Sequence, residues 1–100
     1  MKFEFEKNLV VSTEHISEED NDLLDKLETS GAALYNLIEK FKFGWRIHVG
    51  SEPQSTINYI AKHFSPGLLS LIVIAYSQNC KWLVLDRDGP SDPNLLTYNW

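Results

Sequence analysis

Alternating apolar and polar residues mark several segments of the chain as strands. The run Leu9–Thr13 is apolar and β-branched, and Trp45–Val49 places apolar side chains on one face and polar side chains on the other. The apolar run Trp82–Leu85 predicts a third strand, and Phe3 with Phe5 gives a weaker alternating signal. These segments supply the strands of a small sheet.

Helical spacing follows the first of these strands. Ser17 precedes a group of acidic residues and can accept a hydrogen bond from a first-turn amide, which is typical of a helix start. Apolar residues then recur every three or four positions as far as Phe41, so the pattern predicts one helix over residues 18–41. The pair Ser30-Gly31 leaves open that this segment is two helices, because glycine costs about 1 kcal/mol relative to alanine inside a helix.

Two more helices are predicted in the second half of the chain. Ser51–Gln54 fits a capping box with proline in the first turn, and an apolar stripe follows it to Phe64. Residues 66–79 are apolar nearly all round, which predicts a helix in the middle of the core. We therefore predict an α/β fold, with α+β as the alternative. Residues 1–100 would form a single domain with a small three- to four-stranded mixed sheet and three helices.

Charge is distributed unevenly along an otherwise ordinary globular composition. Hydrophobic residues make up 43% and charged residues 23% of the 100 residues, and the formal net charge is -5. Residues 1–28 hold nine acidic and three basic residues, whereas residues 29–100 hold five acidic and six basic residues. The negative charge therefore belongs to one segment, and it disfavours direct binding of nucleic acid.

The first predicted helix carries most of this charge. One interpretation is a solvated helix face whose acids suit the positive end of the helix dipole. The other is a docking surface for a basic protein or nucleoprotein partner, since a charged patch steers association. The candidate partner-binding residues, beside the neighbouring Asp20, are Glu18, Glu19, Asp22, Asp25 and Glu28.

Location is constrained by what the chain lacks. Cys80 is the single cysteine, so there is no intrachain disulfide and no support for an oxidising compartment. The N-terminal residues have no apolar core of a signal peptide. The longest apolar run, Leu71–Tyr76, is far shorter than the ~20 residues that span a bilayer. We therefore expect a cytoplasmic protein with no membrane partner.

Asp86-x-Asp88-Gly89 after an apolar strand is the strongest candidate for chemistry. It matches the nucleophile strand of haloacid-dehalogenase-type phosphatases, but in that family the motif opens the chain, and here Pro90 replaces the usual threonine. Spacing from Asp86 also fails the EF-hand pattern, although a looser cation site with Asp92 stays open. The alternative is that Asp86 and Asp88 fix the turn that folds the C-terminal aromatic residues back onto the domain.

Other catalytic and metal-binding patterns are weaker. Arg46 and His48 share one strand face as a possible catalytic pair, and a solvated polar face is the alternative. Nothing matches a nucleophile elbow or a glycine-rich phosphate loop. We expect no catalytic residue and no cofactor. A zinc site would need residues that lack ligand spacing in the sequence, namely His15, His48, His63 and Cys80.

Three segments together resemble an uncharacterised family of small bacterial proteins carried on mobile elements such as plasmids and phages. They are Val10–Ile16 before the acidic helix, Gly44-Trp45-x-Ile47-x-Val49-Gly50, and Cys80-x-Trp82-Leu83-x-Leu85-Asp86-x-Asp88-Gly89-Pro90 with the ending Leu96–Trp100. The resemblance implies mobile-element company and no known activity. This chain has Asn99 where the family pattern leads us to expect an acid, so no acid-dependent role is assigned to that ending.

Charge pattern and resemblance together predict a small acidic, non-enzymatic binding protein. Its expected role is that of a phage or plasmid inhibitor or anti-defence protein that docks a basic surface through the acidic helix. An immunity protein that neutralises a toxin nuclease is the alternative within binding. A small metal-dependent enzyme using Asp86 and Asp88 is the alternative from another class.

Overall fold

A computed structural model describes residues 3–30, 38–49, 58–59 and 61–100. Within these ranges the chain forms four strands and two longer helices, with a turn of 3-10 helix at Thr13–His15. Residues 58–59 and 61–63 are also helical, and the rest of the helix predicted after Ser51 lies outside the described residues. The strands are β1 (Asn8–Val11), β2 (Ile38–Phe41), β3 (Gly44–His48) and β4 (Trp82–Asp86), and the helices are α1 (Glu18–Ser30) and α2 (Pro66–Ser77).

The four strands form one mixed sheet in the order β1-β4-β3-β2. The first and last strands run parallel, with Val11 opposite Leu85, while β3 is antiparallel to both of its neighbours. Strands β2 and β3 are joined by the two-residue loop Lys42-Phe43. This arrangement confirms the predicted mixed α/β architecture.

The core lies between one face of the sheet and the helices. Alternate residues of β3 and β4 point to that face, so Trp45, Ile47, Leu83 and Leu85 are buried. Helix α1 supplies Leu24 and Leu27, because residues three positions apart share one side of a helix. Helix α2 contributes four more buried side chains to this core, namely Leu68, Leu71, Ile72 and Ala75.

The prediction of one helix over residues 18–41 is wrong at residues 38–41, and its part over residues 31–37 lies outside the described residues. Helix α1 spans Glu18–Ser30 of the described residues, and residues 38–41 form strand β2 instead. Ile38 is buried opposite Ile47, and Glu39 is exposed opposite Arg46. Pairing with β3 therefore overrides the helical spacing, because ladder hydrogen bonds and burial outweigh a weak intrinsic preference.

Helix α2 ends earlier and lies nearer the surface than its composition predicts. It stops at Ser77, and Asn79 takes the left-handed conformation that ends helices, with φ of 60°. The Cys80 amide then donates to the Ala75 carbonyl oxygen at 2.9 Å. Val73 keeps 45% of its surface exposed, so α2 covers one face of the sheet and does not run through the middle of the core.

Phe3 and Phe5 form no strand, which contradicts the weak alternation signal. Both rings are exposed, Phe5 to 89%, and the segment is held through Glu6. The Glu6 carboxylate accepts from the Lys81 ammonium at 3.2 Å and from the Trp82 indole at 3.1 Å. Chiefly because of the hydrogen bond from Lys81, the pKa of Glu6 lies below its ordinary value.

The C-terminal residues fold back over the turn that follows β1, as predicted for the aromatic ending. The Asp86 carboxylate accepts from the Asp88 amide at 2.8 Å and sets the turn direction. Further along, the Tyr98 amide donates to the Glu14 carbonyl at 2.8 Å, and the Trp100 indole donates to the Ile16 carbonyl at 2.9 Å.

His15 is the central anchor of this tail, and it is 1% exposed. Its Nε2 accepts from the Asp92 amide at 3.0 Å, which requires the proton to be on Nδ1. Nδ1 then donates to the Leu96 carbonyl oxygen at 2.7 Å. A neutral imidazole with this one tautomer therefore satisfies two backbone groups of the tail.

Replacing His15 with leucine is expected to loosen the tail. Leucine keeps a comparable volume but removes the partner of the Asp92 amide and of the Leu96 carbonyl, which form part-buried hydrogen bonds, so the free energy of unfolding should fall by about 1–2 kcal/mol. Hydrogen exchange at the Asp92 and Tyr98 amides should become faster. His63→Leu is the matched control, since His63 is exposed. Equal exchange in both variants would contradict this role of His15.

No helix within the described residues is both long and apolar enough to cross a membrane.

Candidate functional site

The acidic helix begins with a reciprocal cap. The Asp20 amide donates to Ser17 Oγ at 3.0 Å, and the Ser17 amide donates to Asp20 Oδ2 at 2.9 Å. This exchange satisfies two backbone amides at the start of α1. It also places the following carboxylates near the positive end of the helix dipole, where they are stabilised.

Asp20 does not belong to the acidic surface, although it lies within the acidic stretch. It is 3% exposed, and its carboxylate also accepts from the Ser65 amide at 2.8 Å and from the Ser65 hydroxyl at 2.5 Å. Ser65 is the N-cap of α2, where its hydroxyl oxygen accepts from the Leu68 amide. One buried carboxylate therefore joins the N-termini of both helices.

The remaining acids of α1 occupy the side away from the core. At 100° per residue, the five candidate positions fall within an arc of about 180°, opposite the buried leucines. Asp25 and Glu28 are half-buried, and Asp25 forms an ion pair with Lys40 at 2.9 Å. Three carboxylates are exposed, and none of them forms an ion pair with another described residue. We call this set the acidic face: Glu18, Glu19 and Asp22.

A groove of about 420 Å³ adjoins the acidic face. Helix α1 forms one wall, and the hairpin of β2 and β3 with the end of β4 forms the other. Four aromatic rings line it, namely Phe41, Phe43, Trp45 and Trp100. Its charged lining residues are Asp22, Asp25, Lys40, Lys42 and Arg87.

An ion pair connects the two walls of the groove. Lys40 from β2 reaches Asp25 of α1, and its ammonium lies 5.4 Å from the centre of the Trp45 ring. The Trp45 indole in turn donates to Asn21 Oδ1 at 2.9 Å. One exposed ion pair and one part-buried indole hydrogen bond therefore link the helix to the hairpin.

The opposite wall of the groove carries positive charge, with Lys42 at the hairpin tip and Arg87 directly after β4. Lys42 Nζ lies 5.4 Å and Arg87 Cζ 5.6 Å from the centre of the Phe43 ring. Neither cation forms an ion pair within the part of the chain that the structure describes. The groove therefore has a free carboxylate, Asp22, on one wall and free cations on the other.

The candidate cation ligands serve the turns. Asp86 is half-buried, and its Oδ1 accepts a hydrogen bond from the Asp88 amide. Asp92 Oδ1 accepts from the Asn94 amide at 2.8 Å. Asp88 is exposed on the same turn. Among the described residues, no group of three or more histidine, cysteine or carboxylate side chains is arranged to hold a metal ion.

The possible catalytic pair on β3 is engaged in ring contacts. Arg46 Cζ lies 4.2 Å from the Trp82 ring centre and its guanidinium donates to Glu39 at 3.0 Å, while the His48 ring is 4.9 Å from Trp82. Because His48 is opposite Trp82 and Gly44 is opposite Asp86, His48 and Asp86 stand roughly 13 Å apart along the strands. The structure does not bring the pair together with the aspartates.

The four candidate zinc ligands are also engaged elsewhere. Both ring nitrogens of His15 bond the tail, Cys80 is buried after α2, and the His63 ring lies 4.4 Å from Tyr59. His48 is on the sheet face opposite the helices. The four side chains therefore do not come together around one metal-ion position.

Sequence reasoning missed the groove and the role of Asp20. The spacing Ser17-x-x-Asp20 is a local signal for the reciprocal cap, but nothing local indicates the bond from Asp20 to Ser65. Lys40–Trp45 alternates cations and aromatic rings, and this signal was obscured because the preceding segment has helical spacing.

Comparison with protein families gives one match. Residues 8–100 match the model of the C-terminal domain of a family of unknown function, DUF5983. No curated protein and no solved structure matches the chain significantly.

Proposed function

We propose that this chain, which belongs to the DUF5983 family of unknown function, is a non-enzymatic binding protein. Its acidic face would dock a basic protein or nucleoprotein partner. The observation that carries this proposal is the contrast among the acids. Asp20, Asp25 and Asp86 are engaged in caps, an ion pair and a turn. The carboxylates of the acidic face are exposed and have no basic partner among the described residues.

Electrostatics supports docking at this face. Like charges one turn apart, such as Glu18 and Asp22, repel each other and weaken a helix by a few tenths of a kcal/mol. A basic partner would reverse that cost and would speed association. The Debye length is about 8 Å at physiological salt, so the contribution should fall steeply as salt is added.

Two more specific versions of the proposal differ in the identity of the partner. In the first, the protein is an inhibitor or anti-defence factor of a phage or plasmid, in keeping with the resemblance to proteins of mobile elements. In the second, it is an immunity protein against a toxin nuclease. Both targets present basic surfaces that normally face nucleic acid, and the acidic face complements such a surface. A metal-dependent reaction at Asp86 and Asp88 has less support, because the Asp86 carboxylate already bonds the turn.

Reversing two charges of the acidic face is expected to weaken partner binding. We would identify the partner by affinity capture from the native host, purify it, and measure its Kd by calorimetry at low and high salt. Glu18→Lys with Glu19→Lys should raise Kd at least about tenfold at low salt, because like charges would face each other across the interface. Higher salt should reduce the difference between variant and wild type.

Glu4→Lys with Asp88→Lys is the matched control. Both residues are exposed, and the pair changes the net charge of the protein by the same amount. If the control weakens binding as much as the test pair, net charge alone is responsible and the acidic face is not the docking surface. An unchanged Kd for Glu18→Lys with Glu19→Lys would also overturn the proposal.

A further inference from the structure

We infer that the groove beside the acidic face binds an extended peptide segment of the partner, with an apolar side chain between a basic and an acidic residue. This inference rests on the proposed function and specifies the chemistry of the bound segment. It starts from the groove itself, whose volume of about 420 Å³ falls within the range of natural ligand pockets, roughly 300–1,000 Å³. That space suits one or two side chains of a peptide.

The rings that line the groove can contact an apolar side chain. Trp100 is 51% exposed although its indole N–H is already bonded to Ile16. Phe41 and Phe43 are half-buried, and their ring centres are 6.3 Å apart in an edge-to-face arrangement. Because the polar group of Trp100 is satisfied, the free surface of these rings is apolar, and covering it with an aliphatic or aromatic side chain is favourable.

The two walls select the charges on either side of that apolar residue. Asp22 on the helix wall is exposed and unpaired among the described residues, so it can accept from a lysine or arginine of the peptide. Lys42 and Arg87 on the hairpin wall are exposed and free of ion pairs in the same described part, so they can donate to a carboxylate. A peptide that crosses the groove from helix to hairpin therefore meets charges of opposite sign.

This separation of charge distinguishes a peptide from single-stranded nucleic acid. Cations next to aromatic rings also occur in nucleic-acid grooves, where bases stack on the rings. A phosphate backbone in this groove would, however, lie beside Asp22 and Asp25. Peptides alternate charge along their length and avoid that repulsion, so the lining favours a peptide.

A random dodecapeptide phage library, selected on the full chain, gives the defined probe for this inference. We expect enriched sequences to share a basic, an apolar and an acidic position in that order or its reverse. A synthetic peptide of the enriched sequence should shift the NMR signals of the Trp45 and Trp100 indoles. Phe43→Ala should raise the Kd of this peptide at least about tenfold, as for loss of a hot spot. The control is Phe5→Ala, which removes an exposed ring outside the groove and should leave the Kd of the peptide unchanged.

Charge exchange tests the orientation and is independent of losses caused by misfolding. Arg87→Glu should bind the selected peptide more weakly, and replacing the acidic residue of that peptide with lysine should restore its affinity. Absence of restored affinity, indole signals that do not move, or an oligothymidylate that competes for the same signals would each overturn the inference.

The outcomes separate this inference from the docking proposal, because Glu18 and Glu19 do not line the groove. If Glu18→Lys with Glu19→Lys weakens binding of the partner and Phe43→Ala does not, the docking proposal holds and the groove inference fails. If Phe43→Ala weakens binding of both the partner and the peptide while the charge reversal has no effect, the groove inference holds and docking through Glu18 and Glu19 fails.

Discussion

Asp20→Ala should lower the free energy of unfolding by about 3–5 kcal/mol, a large part of the ~5–15 kcal/mol that stabilises a domain. The substitution removes the acceptor for the Ser17 amide and for both donors of Ser65. Caps are typically worth ~1 kcal/mol, and a buried polar group left without a partner costs about 1–3 kcal/mol. Because one carboxylate serves both helices, the losses add at a single site.

Denaturant unfolding followed by circular dichroism measures this loss. Asp22→Ala is the matched control, since Asp22 is on the same helix, is exposed, and should change stability by less than about 0.5 kcal/mol. Asp20→Asn should fall between wild type and Asp20→Ala, because an amide keeps one acceptor oxygen but loses the charge. Equal stability of Asp20→Ala and Asp22→Ala would show that the Asp20 contacts contribute nothing.

Gly44→Ala is expected to be the most disruptive substitution in the sheet, with a loss of about 3–5 kcal/mol in the free energy of unfolding. A Cβ at this position would overlap the backbone oxygen of Leu85 and lie 2.9 Å from its carbonyl carbon. The φ angle of 156° is also one that residues with side chains rarely adopt. Because Gly44 is opposite Asp86, relief would require the two central strands, β3 and β4, to separate at this end of their ladder.

Thermal unfolding and the soluble yield of the variant test this expectation. Lys42→Ala in the adjacent hairpin loop is the control, because Lys42 is exposed and its truncation inserts no atom between strands. The Tm of Gly44→Ala should fall by more than about 10 °C, given roughly 4–8 °C per kcal/mol for a domain of this size. A Tm within about 2 °C of that of the control would contradict the close approach of Gly44 to Leu85.

These two residues also set the shape of the candidate site. Asp20 holds the start of α1, which carries the acidic face and one wall of the groove. Gly44 lets the hairpin, which forms the other wall, pack closely on β4. Variants at either position should therefore lose partner binding together with stability, whereas Glu18→Lys with Glu19→Lys should lose binding alone.

Much of the fold could be predicted where neighbouring residues settle the conformation. Strands β3 and β4 follow from alternation and a buried apolar run, and the start of α1 follows from Ser17 and the acids behind it. The turn after β4 follows from Asp86, whose carboxylate reaches an amide two residues away. Each of these features depends on contacts within a few residues.

The candidate site could be predicted only in part. The position of the acidic helix and its exposed carboxylates were evident from charge and spacing. The sequence did not indicate that Asp20 is buried and separate from these exposed carboxylates, because its partner Ser65 is distant in the chain. Similarly, Asp25 is paired with Lys40, which the helical spacing had placed on a continuing helix and the structure places on a strand.

By itself the sequence determined the mixed α/β class, the segment that carries the negative charge, and the strands and caps that local contacts specify. Only the tertiary structure decided that residues 38–41 form a strand, that His15 anchors the tail and that helix and hairpin enclose a groove. The physical reason is that these features arise from pairing and burial between distant segments. The free energy of such contacts depends on which partner is in reach, and local patterns do not encode that partner.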